Sequence, residues 1–144
     1  MSLAEKGIII RRTVESDLRN IYLTVSGTAE FSSGHLTADR LADLFMSDSA
    51  VLYSAVRKKH LLGFILGNVQ GDNAFVEKIF VKEKFRRCGI GSLLLEKFSL
   101  HSKKAGSKNF FIALPAENME TLNFFIKRGF VQSQNTLNLH KKNS

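Results

Sequence analysis

The chain has 144 residues, a formal net charge of +8, one cysteine and one proline. That length fits a single domain spanning 1–144 with one sizeable core, the lone Cys88 excludes an internal disulfide, and no apolar run approaches a membrane span. The positive excess predicts attraction to anions without saying which: nucleic acid, acidic membrane and phosphate-bearing cofactors all qualify.

The opening "MSLAEKGIII" lacks the basic start, long apolar core and cleavage site of a secretory signal, so a cytoplasmic location is expected. "GIIIRR" is a β-branched run and predicts a first strand. Thr13 then offers an N-cap, with Glu15 and Asp17 in the first turn of a helix whose inner face is Val14, Leu18, Ile21, Tyr22 and Val25. "GTAEFSSGH" is loop-like. Thr37 is a second N-cap candidate, before a short helix with Leu41, Leu44 and Phe45 on one face. "AVLYSAVR", "LLGFILGNVQ" and "AFVEKIFV" follow, separated by polar turns, and read as an antiparallel meander from Ala50 to Val81.

The period then changes. Ile90, Leu93, Leu94 and Phe98 share a helical face, and Lys103, Lys104 and Gly106 suit a helix end. "KNFFIALP" predicts another strand. Asn118 starts a helix with Met119, Leu122, Phe125 and Ile126 inward, Gly129 ends it, and "FVQSQNTLNLH" supplies a final strand pair. The order β-α-α-β-β-β-α-β-α-β-β is α+β with a mostly antiparallel sheet, in which the strand–helix–strand unit of the second half makes its two strands parallel.

Between that strand and helix lies "RRCGIGS", Arg86 to Ser92, bordered by Lys82 and Lys84. A helix N-terminus leaves its first N–H groups unpaired and carries partial positive charge, and glycines let a ligand come close to the backbone. One reading is a diphosphate cradle; the other is a capped helix with a solvated basic face. A P-loop requires a lysine that is absent here, and a dinucleotide fingerprint requires a small residue where Leu94 stands.

The run Arg86-Arg87-Cys88-Gly89-Ile90-Gly91 resembles the signature of the GCN5-related N-acetyltransferase (GNAT) superfamily: Arg or Gln, two residues, Gly, one residue, then Gly or Ala. "NMETLNFFIKRGF", Asn118 to Phe130, is similar to the family's late pattern of Asn, paired aromatics and Gly-Phe, and the element order agrees from Ile8 to about His140. The resemblance implies a mixed sheet with helices on both faces and acetyl-CoA as donor. It implies that backbone N–H groups of Arg87, Cys88, Gly89, Ile90, Gly91 and Ser92 hold the pyrophosphate, with Arg86 beside them. The strand at Ile79, Phe80 and Val81 would pair with the pantetheine arm, and Asn118 and Phe124 would line the thioester end.

An alkylammonium has no free lone pair, and a lysine-like amine of pKa ~10.4 must lose a proton before it attacks a thioester. A carboxylate performs that task. Glu77, shortly before the cofactor-binding backbone, is the candidate base, set against a strand-surface carboxylate paired with a lysine such as Lys78 or one that only binds a cationic substrate. The family's usual acid is a tyrosine where Phe125 stands, and Phe125 has no proton to give. Tyr22 and Tyr53 are expected as packing residues. Cys88 is a small loop residue or, less economically, a thiolate nucleophile. His35, His60, His101 and His140 lack metal-ligand spacing, so no metal is expected.

The expected function is acetyl-CoA-dependent N-acetylation of a primary amine, small-molecule or peptide, by a monomer or homodimer that engages neither nucleic acid nor membrane. The alternatives are an acyl-CoA-binding module with little catalysis, favoured by Phe125, and a nucleic-acid-binding protein, favoured by net charge alone. The acidic residues of the first two helices and their loop, Glu15, Asp17, Glu30, Asp39, Asp43 and Asp48, suit a cationic acceptor.

Overall fold

The computed structural model describes residues 2–26, 37–113, 119–132 and 138–142. The loop 27–36, with Glu30 and His35, therefore lies outside the described residues, as do Asn118 and the stretch 133–137. The elements are β1 (Ile8–Arg12), α1 (Glu15–Ser26), α2 (Ala38–Met46), β2 (Ala50–Arg57), β3 (His60–Gln70), β4 (Asn73–Val81), a 3₁₀ turn (Glu83–Phe85), α3 (Ile90–Lys104), β5 (Asn109–Ala113), α4 (Met119–Ile126), β6 (Val131–Gln132) and β7 (Asn138–Lys142). Apart from the short 3₁₀ turn, this is the expected order. The sheet runs β1-β2-β3-β4-β5-β7-β6. Of its neighbouring pairs only β4–β5 is parallel, because α3 carries the chain back across the sheet between them.

Two apolar clusters lie on opposite faces. On one, Ile21 and Val25 of α1 and Leu41 and Leu44 of α2 pack on Leu52, Phe64, Leu66 and Phe80. On the other, Ile90, Leu94, Leu95 and Phe98 of α3 and Phe125 of α4 pack on Ile65, Val76, Phe110 and Ile112. Helices thus cover both faces. Side-chain facing departs from the periodicity at the helix margins: Leu95 is buried where Leu93 was expected, and Val14 and Ile126 are exposed.

The caps show where local signals compete. Thr37 caps α2 as expected, its Oγ1 accepting from Arg40 N–H at 3.1 Å. Thr13 does not cap α1. Its hydroxyl is buried against Ser54 Oγ at 2.8 Å, and Asp17 reaches back to accept from Val14 N–H at 3.0 Å. Asp17 also accepts from Nη1 and Nη2 of Arg11, at 2.6 and 3.1 Å, so this buried carboxylate is committed to the fold. At the end of α4, Gly129 adopts φ 92°, a left-handed conformation that a side chain disfavours. That turn lets Phe130 N–H and Gly129 N–H reach the carbonyls of Phe125 and Ile126 at 3.2 and 3.0 Å. It also brings the Phe130 ring to 5.2 Å from that of Phe125, edge-on.

One irregularity positions the site. In the β3–β4 register Leu66 faces Lys78 while Gly67 faces Val76, so Glu77 is the extra residue of a β-bulge. The bulge resets the alternation: Val76 packs in the α3 cluster, and Phe80, four residues on, packs in the α1/α2 cluster. Gly67 is what allows β4 to come this close. A Cβ built on it would stand 1.9 Å from the Phe75 carbonyl oxygen and 2.9 Å from the Phe98 ring. Replacing Gly67 by Ala is therefore expected to destabilise the chain by about 3 kcal/mol or more, because the obstacle is backbone and has nowhere to yield. Urea unfolding checks it; a midpoint equal to that of the unmodified chain contradicts the register.

Candidate active site

β4 pairs with β3 as far as Val81, but with β5 only from Asn73 to Val76. Beyond the bulge the two parallel strands part. Lys82 N–H bonds the Leu62 carbonyl at 2.8 Å, so by alternation Lys82 and Phe80 direct their main-chain groups to β3. Ile79 and Val81 direct theirs to the side β5 has left. The Val81 carbonyl on that side accepts from Arg86 Nε at 2.7 Å. Arg86, read from the sequence as a cofactor residue, thus braces the end of β4, with its guanidinium 5.5 Å from the Phe80 ring. Phe80 has its side chain buried and its main chain facing β3.

The loop after β4 turns sharply. Arg87 has φ 64° and Gly89 φ 90°, and α3 begins at Ile90 with Gly89 as a cap that offers no side-chain hydrogen bond. The first helical bond runs from Leu93 N–H to the Gly89 carbonyl at 3.1 Å. The N–H groups of Ile90, Gly91 and Ser92 therefore open the helix with no intrahelical acceptor ahead of them. Nothing lies within 4 Å of a Cβ built on Gly89. A Cβ on Gly91 would meet Phe124 at 3.5 Å and Val81 at 3.8 Å, which are ordinary contacts. Gly91 is thus where the end of β4, the start of α3 and the last turn of α4 meet. Cys88 is exposed, its thiol 3.6 Å from the Arg86 carbonyl.

α4 supplies Phe124, half-buried over Gly91, and Phe125, wholly buried. Their rings meet edge-on at 5.1 Å. The Arg128 guanidinium lies over the Phe124 ring, 3.5 Å from its centroid, donates to the Phe124 carbonyl at 2.8 Å and bonds Ser92 Oγ. This clamp between α4 and the first turn of α3 escaped the sequence reading; its only signal was an arginine four residues after an aromatic on a helix. Tyr53 and Tyr22 are half-buried, and Tyr53 O–H lies 3.1 Å from Nδ1 of His101. The His101 pKa is lowered, by burial first and then by the nearby Arg12 and Lys104 charges.

Glu77 stands at the bulge, on the α2 side of the sheet. Its Oε1 accepts from Arg40 at 3.1 Å and from Asn68 Nδ2 at 3.2 Å. Neither partner was singled out from the sequence, since they come from an element 37 residues away and from the preceding strand. The side chains of Arg40 and Glu77 are 52% and 28% exposed, and a pair so open to water is worth about 0–1 kcal/mol. Glu77 is thereby held in place but not locked.

An uncapped glycine-containing helix start suits a diphosphate, and the strand edge that β5 leaves suits an amide-bearing arm. Among the described residues no group of three or more His, Cys, Asp or Glu is placed to hold a metal ion, and no helix is long and apolar enough to cross a membrane.

Residues 16–130 match the model of the acetyltransferase (GNAT) family. No curated protein matches the sequence. Among solved structures, the PaiA N-acetyltransferase of Thermoplasma acidophilum, in complex with coenzyme A, superposes with a TM-score of 0.81 at 18% identity, covering 94% of this chain and 98% of its own. A GNAT-family acetyltransferase of Staphylococcus aureus Mu50 gives 0.83 at 13% identity, over 95% and 99% of the two chains. The ribosomal-protein-S18-alanine N-acetyltransferase of Escherichia coli gives 0.80 at 17%, over 95% and 94%.

Proposed function

The chain belongs to the acetyltransferase (GNAT) family, and from that premise we propose that it is an acetyl-CoA-dependent N-acetyltransferase whose acceptor is a primary amine. The observation that carries the reading is the parting of β4 from β5 directly in front of an uncapped helix start. Bound acetyl-CoA supplies an activated acetyl thioester. In this reading the main-chain N–H groups from Gly89 to Ser92 hold the diphosphate, and Lys82, Lys84 and Arg87 surround it with positive charge. The main-chain groups of Ile79 and the N–H of Val81, which face the gap, orient the arm, and Phe124 borders it.

Glu77 takes the proton from the acceptor's ammonium, directly or through a water, which frees the nitrogen lone pair for direct attack. It lies between β4 and α2 beside Arg40, and this reading brings the cationic amine to that side. Phe125 is enclosed and supplies no acid, so the departing sulfur draws its proton from solvent. That same enclosed ring favours a second reading, an acyl-CoA-binding module with little turnover.

Two measurements separate the readings. Saturating acetyl-CoA should raise the melting temperature under both; an unchanged melt contradicts both. Acceptor-dependent release of free thiol, across a panel of primary amines, is expected for the enzyme alone.

A further inference from the structure

Glu77 only accepts hydrogen bonds when ionised, so Asn68 must turn its NH₂ toward it. That orientation leaves Asn68 Oδ1, which is buried and has no hydrogen-bond partner among the described residues. A buried acceptor without a donor requires an explanation. Arg40, meanwhile, meets Glu77 through one nitrogen at 3.1 Å from a half-exposed side chain. Arg11 shows the contrast: its fork engages Asp17 at 2.6 and 3.1 Å, and Asp17 is buried. A loosely held cation and an idle acceptor therefore flank the same carboxylate.

Resting on the acetyltransferase reading, we propose that Arg40 and Asn68 determine acceptor specificity. Arg40 is a resident cation that an incoming primary alkylammonium displaces from Glu77 Oε1, and Asn68 Oδ1 accepts one of that ammonium's N–H bonds. The match is chemical. A primary ammonium replaces the charge Arg40 withdraws and brings three donors, enough for Glu77 and Asn68 together. A quaternary ammonium brings the charge without donors. Arg40 reaches the carboxylate but leaves Oδ1 without a partner among the described residues, so the ammonium completes what the resident arginine does not.

The test titrates the full-length chain with n-butylammonium chloride at constant ionic strength, with and without coenzyme A, by calorimetry. Arg40→Gln, an exposed change between good helix formers, is expected to tighten the Kd by about 2- to 5-fold, the scale of an exposed ion pair. The gain should vanish in Arg40→Gln/Glu77→Gln. Asn68→Ala should weaken binding and Asn68→Asp should strengthen it, whereas a merely structural asparagine predicts loss in both. Tetramethylammonium should not distinguish unmodified Asn68 from Ala. Overturning results are an unchanged or weaker Kd in Arg40→Gln, a gain that survives without Glu77, parallel losses in the two Asn68 variants, or no butylammonium binding in any form. The acetyl-CoA-induced melting shift, read in the same samples, tests the cofactor assignment separately: its absence removes that assignment and leaves the ammonium titration interpretable.

Discussion

Replacing Glu77 by Gln lowers kcat by about 10²- to 10⁴-fold, the range for loss of a general base, and leaves the acetyl-CoA-induced rise in melting temperature in place. The substitution is nearly isosteric, and the amide can still meet Asn68. What it loses is the capacity to take a proton. Deprotonation of the acceptor then falls to bulk solvent, so the variant's rate should climb about tenfold per pH unit toward the pKa of the amine near ~10.4. The unmodified enzyme should show a much flatter profile over the same range. If Glu77 only bound the cation, KM would rise and kcat would hold. An equal kcat in both proteins at neutral and alkaline pH removes Glu77 as the base.

Gly89→Glu abolishes the melting shift given by acetyl-CoA. At a hundredfold excess over Kd that shift corresponds to about 2.7 kcal/mol, or roughly 5–10 °C for a chain of this size. Two opposing effects keep the variant folded. A side chain at φ 90° is strained by about 1–2 kcal/mol. A carboxylate at a helix N-terminus is favourable by about 0.3–1 kcal/mol, and there is open space at this Cβ. The new carboxylate then sits where the diphosphate should be received, excluding it by bulk and by charge. Gly89→Ala carries the strain without the charge and should keep a reduced shift. Retained affinity in Gly89→Glu, by calorimetry with coenzyme A, contradicts the assignment of this loop.

Much of this architecture is legible in the sequence. The β-branched run at Ile8, the paired turns of the meander, the glycines at 89 and 129 and the helical spacing around Phe98 are local signals, and the elements they predict formed. Even the Phe125–Phe130 contact follows from a short-range device, a left-handed glycine that folds the chain onto its own helix. Failures occurred where a partner from elsewhere intervened. Thr13 has the chemistry of a cap, yet Ser54 on β2 claimed its hydroxyl.

The amino-acid order by itself determined which segments are helix or strand, the glycine-rich helix entrance and the kinship it signals, because each depends on residues within a turn or two of one another. Only the tertiary structure decided that Glu77 is the bulged residue, that β5 leaves β4 just there, and that Arg40 and Asn68 converge on one carboxylate oxygen. A one-residue offset between strands depends on both partners and on the glycine that lets them approach, and no strand's own alternation contains it.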